Sequence, residues 1–222
     1  MVTPRADSCP SSPKCRRPPL ALIRSPIAGI RHSQWRKSIS TKRIIVIGAS
    51  GVGKTTLVEA LAPLLSLPII PELGRKLCLD MGYERIGDIP QGEQENFKRL
   101  VLEAQISREE ELGAFISDRS ALDCWVLWQR WNICSAMTYD TEAVYESARR
   151  QSRAYSHIIY IPPMFAPPED GFRWTNLDYQ KEIDRLVRMT LYEWNLLELT
   201  LTIKSADPGP RVQEALSWLQ NK

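Results

Sequence analysis

The chain has 222 residues, 43% of them hydrophobic and 25% charged, with a formal net charge of +3, which suits one globular domain with extra chain attached. No apolar run approaches the roughly 18 residues of a membrane span, two histidines (His32 and His157) exclude a histidine-built zinc site, and five cysteines without a C-x-x-C pair are no disulfide framework. The positive charge is local: residues 1–43 hold ten Lys/Arg against Asp7 alone, leaving 19 of the 29 basic and 25 of the 26 acidic residues to the rest, a balance of −6 that argues against a nucleic-acid-binding body.

Residues 1–40 are rich in Pro, Ser and Arg and lack periodicity. They cannot bury enough apolar surface to fold alone, so a disordered basic tail is expected. An organelle transit peptide or an upstream start codon gives the same composition, although the prolines oppose the amphipathic helix of a mitochondrial signal. Residues 41–222 are expected to form the domain proper, and the thiols read as those of a reduced, cytoplasmic protein.

Within that domain, apolar Arg43–Ile47 predicts a strand, and residues 54–66 a helix with Leu57, Leu61, Leu64 and Leu65 toward one face. Residues 68–71 predict a short second strand, followed by helices around 75–82 and 93–111. Residues 114–117 predict a third strand, 121–131 and 142–155 helices, and 157–161 a fourth strand. A helix over 179–197, a strand over 199–203 and a closing helix over 211–219 complete the series. Strand–helix alternation of this kind predicts an α/β fold of three layers, with a central parallel five-stranded sheet and helices on both faces.

Gly48-Ala49-Ser50-Gly51-Val52-Gly53-Lys54-Thr55 meets G-x-x-x-x-G-K-[ST] at every fixed position, and it stands between a predicted strand and a predicted helix. Its glycines let backbone N–H groups turn toward a β-phosphate, with the helix N-terminus adding its positive end. Lys54 is placed to reach the β- and γ-phosphates, and the Thr55 hydroxyl to ligate Mg²⁺, with Thr56 next in the helix. A nucleoside triphosphate, ATP with GTP as the alternative, is therefore the expected cofactor together with Mg²⁺. No Asn-Lys-x-Asp string for guanine is present.

A phosphate loop of this type needs a carboxylate at a second strand end. Asp118 follows the apolar run 114–117 and is the candidate for Mg²⁺, although Asp118 and Ser120 would also serve as caps for the helix that starts near Ala121. Trp125, Trp128 and Trp131 recur every third residue on that helix and read as a core-packing face, with base stacking as the other reading.

The string Asp118-Arg119-Ser120 after a strand resembles the Asp/Glu-Arg-Ser motif of P-loop deoxynucleoside kinases. With Glu72 and Arg75 after the second strand, Asp123, and Asp170-Gly171-Phe172-Arg173 in a late loop, residues 43–220 look like the NadR-type domain, whose bacterial members phosphorylate nicotinamide riboside. The resemblance implies a nucleoside- or nucleotide-kinase-like fold with a lid over the irregular segment 162–178. It implies Glu72 as general base, Arg119 and Arg75 as partners of that carboxylate or of a phosphate, and Arg173 as the lid cation that neutralises the γ-phosphoryl group. Arg185, Arg188 and Trp174 are further candidates, and Ala206-Asp207-Pro208-Gly209 lies where relatives cradle adenine. The implied activity is transfer of the γ-phosphoryl of ATP to a hydroxyl of a small molecule, a nucleoside or ribosyl compound. A nucleotide-binding switch without kinase activity is the rival expectation. The expected partners are a nucleoside triphosphate and a small-molecule acceptor, with no nucleic acid and no membrane span, on a monomer or a homodimer.

Overall fold

The computed structural model describes residues 42–132, 137–166 and 176–221. Five parallel strands form one sheet in the order β2-β3-β1-β4-β5: β1 Arg43–Ile47, β2 Ile69–Ile70, β3 Phe115–Asp118, β4 His157–Tyr160 and β5 Thr200–Thr202. The central strand explains itself. Ile44, Ile45, Val46 and Ile47 are all fully buried, as a parallel strand covered on both faces requires, and their β-branched side chains favour the extended backbone. β1 pairs Ile44 with Ile116 on one side and with His157 on the other.

Seven α-helices connect the strands among the described residues: α1 Lys54–Leu65, α2 Leu73–Asp80, α3 Gln94–Leu112, α4 Ala121–Asn132, α5 Thr138–Ser152, α6 Leu177–Glu193 and α7 Pro208–Gln220. α1 packs against α7, while α3, α4, α5 and α6 form a second group, so the sheet lies between two helical layers as expected. α1 buries Leu57, Val58, Leu61, Ala62 and Leu65, the 3.6-residue stripe visible in the sequence, whereas Leu64, expected on that face, turns to the surface.

The differences from expectation have local causes. β2 shrinks to two residues because Pro68 and Pro71 flank it, and proline has no N–H to offer a ladder. α2 stops before Gly82, whose φ of 87° is left-handed backbone that ends a helix. α6 starts two residues earlier than expected, where the Asn176 side chain accepts a hydrogen bond from the Asp178 amide at 2.7 Å. No helix of the described residues is long and apolar enough to cross a membrane. The tail expected at residues 1–40, and the central part of the expected lid, 167–175, lie outside the described residues.

The C-terminal ends of β1, β3 and β2 open onto the segments that begin at Gly48, Arg119 and Pro71. In a parallel α/β sheet this is the edge where ligands bind.

Candidate active site

The phosphate loop leaves β1 at Gly48, and two of its glycines are required by close approach. A Cβ at Gly48 would stand 2.4 Å from the Ile161 carbonyl oxygen, and one at Gly53, with φ of 92°, would stand 2.9 Å from an Arg211 guanidinium nitrogen. Ala49 and Val52 turn their side chains into the core, so these positions can offer a ligand only backbone N–H groups. Lys54 is buried, and its Nζ donates to the carbonyl oxygens of Gly48 at 2.9 Å and Ala49 at 2.7 Å. Burial pushes its ammonium down to about 7, helped by the nearby Arg119 cation and opposed by the carboxylates of Asp118, Asp123 and Glu72.

Thr55 stands in the first turn of α1 and donates its hydroxyl to Asp118 Oδ2 at 2.5 Å, across to the end of β3. The helix-capping reading of the Asp118–Ser120 pair resolves between the two residues. Ser120 caps α4, exchanging hydrogen bonds with Asp123 (hydroxyl to Oδ2 2.9 Å, amide of Asp123 to Oγ 3.4 Å), while Asp118 faces the phosphate loop. A hydroxyl and a carboxylate are the hard oxygen donors that Mg²⁺ takes. No cluster of three His, Cys, Asp or Glu side chains that could cage a metal occurs among the described residues. That donor set fits Mg²⁺ carried in with triphosphate oxygens and water, its usual mode in phosphoryl-transfer sites.

Arg119 occupies the turn between β3 and α4 with φ of 84°, a left-handed conformation that costs a non-glycine residue on the order of 1–2 kcal/mol. Its backbone amide bonds to the Val46 carbonyl at 3.1 Å, which ties the turn to β1. Its guanidinium gathers the site: Nε donates to Glu72 Oε1 at 2.8 Å, Nη2 to the Ser50 hydroxyl at 3.4 Å, and Nη1 lies 3.9 Å from Asp123. Burial alone would lower Arg119, but the carboxylates of Glu72, Asp123 and Asp118 outweigh it and hold the guanidinium raised. Burial also raises Asp123, against the pull of Arg119 and Lys54.

Glu72, just past β2, separates two concavities. On one side it lines a groove with Thr55, Asp118 and Arg75. On the other it lines a cavity of about 200 Å³ with Arg119 and Asp123 at its base and Phe97, Trp131 and Tyr179 in its walls. That volume is below the ~300–1,000 Å³ of drug-sized pockets and suits a small metabolite. The tryptophans of α4 divide: Trp125 and Trp128 are core residues, whereas Trp131 is 37% exposed and faces the cavity beside Tyr179 at 5.9 Å.

Of the expected site residues, the structure thus brings together Gly48 to Thr55, Glu72, Asp118 and Arg119, with Thr56 exposed one residue on in α1. Arg173 and Trp174 lie outside the described residues. Arg188 pairs with Asp184 at 3.1 Å, and exposed Arg185 reaches the Met189 sulfur at 3.3 Å.

Three contributions escaped the sequence reading. Arg211, near the start of α7, donates to the phosphate-loop carbonyl of Val52 at 2.6 Å and to the Ser205 carbonyl at 2.8 Å, bracing the loop from below. Gln180 of α6 donates to the Ser50 carbonyl at 3.0 Å. Glu109 is fully buried behind the Asp118–Ser120 turn. It accepts from Gln105 at 2.8 Å, Gln151 at 2.7 Å and the Tyr155 hydroxyl at 3.0 Å, and that hydroxyl in turn accepts from the Ala121 amide at 3.0 Å. Burial raises the Glu109 carboxyl to about 7.

Comparison with known proteins adds three findings. The sequence profile of the family described as "AAA domain" matches residues 43–205. No curated protein matches the chain. Among solved structures the chain is similar to a NadR protein in complex with NR, with a TM-score of 0.66 and 19% identity over 84% of this chain and 52% of that one. It is also similar to a deoxyadenosine kinase from M. mycoides with products dCMP and a flexible dCDP bound (TM-score 0.54, 15% identity, 80% and 98% covered). A shikimate kinase from Aquifex aeolicus gives the same TM-score, 0.54, at 19% identity, with 81% and 96% covered. The chain spans about half the length of the NadR chain it matches. At these identities the likeness is one of fold, the three-layer arrangement that these P-loop proteins share.

Proposed function

We propose that this chain, which belongs to the AAA domain family, is a small-molecule kinase that moves the γ-phosphoryl group of ATP to a hydroxyl of a nucleoside or ribosyl compound. The observation that carries this reading is the position of Glu72, which lines both the groove beside Thr55 and Asp118 and the cavity beside Arg119. A switch protein has no need of a cavity that meets the phosphate loop at Ser50 and shares Glu72 with the groove at Thr55 and Asp118.

In this reading the phosphate loop and Lys54 hold the triphosphate, and the acceptor enters the cavity with its hydroxyl toward Glu72. Glu72 takes the hydroxyl proton as the acceptor oxygen bonds to the γ-phosphorus and the bond from that phosphorus to the β-phosphate oxygen breaks, releasing ADP. Arg119 positions Glu72 through the 2.8 Å bond. Thr55 and Asp118 are the residues that would hold Mg²⁺, which supplies charge neutralisation for the phosphates when bound. Arg173, the expected lid cation, enters this reading from the sequence alone.

The deciding experiment measures ATP consumption over a panel of nucleosides, ribosyl compounds and their monophosphates, for the wild-type chain and Glu72→Gln. The expected result is at least one acceptor that stimulates ADP formation, with transfer reduced about a hundred- to ten-thousandfold in Glu72→Gln while ATP still binds. If no acceptor stimulates ATP consumption, the kinase reading falls and a nucleotide-binding regulator takes its place.

A further inference from the structure

We propose that Gln105 selects the acceptor: its amide oxygen, locked toward the cavity, takes a hydrogen bond from an N–H or O–H group of the molecule bound there. This rests on the kinase reading of the cavity and adds the hydrogen-bonding character that its substrate must have.

The orientation of the Gln105 amide follows from a chain of hydrogen bonds whose directions are fixed one after another. The Ala121 backbone amide can only donate, and it donates to the Tyr155 hydroxyl at 3.0 Å. That hydroxyl gives its own proton to Glu109 Oε1 at 3.0 Å. Burial raises the Glu109 carboxyl to about 7, so at pH 8 it is ionised and can only accept. It therefore requires the NH₂ group of Gln105 at 2.8 Å and that of Gln151 at 2.7 Å. The same Gln105 nitrogen donates to the Ser117 hydroxyl at 3.1 Å. With both of its protons committed, the nitrogen faces Glu109 and β3, and the planar amide turns Oε1 the other way. Gln105 lines the cavity, so Oε1 is the polar atom it presents there.

Gln105 also stands near the reacting group. Its partner Ser117 pairs with Ile70 across β2 and β3, two residues before Glu72. Val101, one turn before Gln105 and about 6 Å away along the axis of α3, meets the Glu72 segment at Gly74, where a Cβ would stand 3.8 Å from the Val101 side chain. One nucleoside-sized molecule therefore reaches both Glu72 and Gln105. Gln105 is 2% exposed, so a ligand that fills this part of the cavity takes water away from Oε1. A ligand with a donor at that point restores the hydrogen bond. One without it leaves a buried acceptor unmatched, which lowers affinity by about ten- to a hundredfold. The neighbouring side chains do not fill the need: Arg119 directs Nε to Glu72 at 2.8 Å and Nη2 to Ser50 at 3.4 Å, and Asp123 is itself an acceptor.

The test uses the full chain at pH 8 with a non-hydrolysable ATP analogue and Mg²⁺, and titrates probes that differ by one donor. Adenosine against purine riboside, and cytidine against 2-pyrimidinone riboside, remove a ring amino group. Adenosine against its 2′-deoxy and 3′-deoxy forms removes a sugar hydroxyl. In calorimetry the member with the donor should bind about ten- to a hundredfold tighter in at least one pair, and the pair that responds tells which of the two groups Gln105 reads. Gln105→Met, close in volume but without the amide, should bring that member down to within about twofold of its partner and leave the partner within about twofold of its wild-type affinity. A merely structural role would weaken both members alike. Glu109→Gln, which frees the Gln105 amide to turn over, should narrow the same ratio by about threefold or more, and it decides the matter if Gln105→Met does not fold. Equal affinity within every pair, no binding of any probe, a preference untouched by these variants, or a loss common to both members overturns the proposal. Phosphoryl transfer is followed in parallel, so that the two readings fail separately. Transfer without a donor preference removes the role of Gln105 and keeps the kinase, whereas Gln105-dependent binding without transfer to any acceptor keeps the binding site and removes the kinase.

Discussion

Nucleotide binding should draw a proton from solvent, and the amount is set by Lys54. Among the described residues its ammonium donates to two loop carbonyls at 2.7 and 2.9 Å, and burial pushes its pKa down to about 7. At pH 8 a group with that pKa is about 10% protonated, so most molecules offer the triphosphate a neutral amine. The β- and γ-phosphates bring several negative charges against the same nitrogen and restore the ammonium, because an opposite charge at contact favours the charged form. The uptake should therefore be about 0.9 proton per nucleotide at pH 8 and about 0.1 at pH 6, where the lysine is already charged. Calorimetric titration with a non-hydrolysable ATP analogue, repeated in buffers of low and high ionisation enthalpy, reads this number as the slope of apparent enthalpy against buffer enthalpy. The γ-phosphate is itself ionised at pH 8 and adds little there. Lys54→Arg, permanently charged, should flatten the slope. A slope near zero at pH 8 in the wild-type chain would refute the reasoning.

Two further outcomes follow from the site's wiring. Asp118→Asn should raise the Mg²⁺ concentration needed for half-maximal nucleotide binding about tenfold or more with little change in melting temperature, since Asp118 accepts from Thr55 and does not cap α4; a metal titration matching the parent would remove it from the metal site. Glu109→Gln should flatten the dependence of stability on pH between about 4.5 and 7. The folded carboxyl keeps its proton to about pH 7 while the unfolded one loses it near 4.5, so in this window the folded state binds more protons and stability falls as pH rises, by up to about 3 kcal/mol. Denaturant melts of parent and variant across this window measure the difference, and parallel curves would show that Glu109 does not titrate there.

The sheet was legible because parallel strands covered on both faces are largely apolar, and the β-branched runs in 43–47 and 157–161 and the short apolar run in 114–117 stand between helical patterns. The phosphate loop was legible because its function constrains backbone conformation, and glycine spacing records backbone conformation directly. Glu109 was not legible for the opposite reason. It stands in the run Arg108-Glu109-Glu110-Glu111, which reads as a solvated helix end, and only contacts from Gln151 and Tyr155, more than 40 residues away, make one of those glutamates interior. Trp131 shows the limit of periodicity: three tryptophans at equal spacing promise one face, yet a step of three residues turns about 300°, so successive tryptophans rotate round the helix and Trp131 faces the cavity while Trp125 and Trp128 stay in the core.

Arg119 best shows how residue type and role separate. From sequence it is a plausible anchor for phosphate or for a carboxylate. In the structure its charge is already matched by Glu72 and Asp123, and its strained backbone is held by the amide bond to Val46. A guanidinium shared between two carboxylates adds little net attraction for a triphosphate, because an approaching phosphate meets their charge along with its own partner. The positive potential that draws the nucleotide must then come from the loop N–H groups, the start of α1 and Lys54. Of these only Lys54 can change its charge, and it is the one whose ammonium burial has made costly. Without ligand the carboxylates of Glu72, Asp118 and Asp123 outnumber the Arg119 cation, and Lys54 takes up its proton together with the anion it binds. That spares the fold a permanently charged, buried ammonium, and it makes nucleotide affinity weaken as pH rises above about 7.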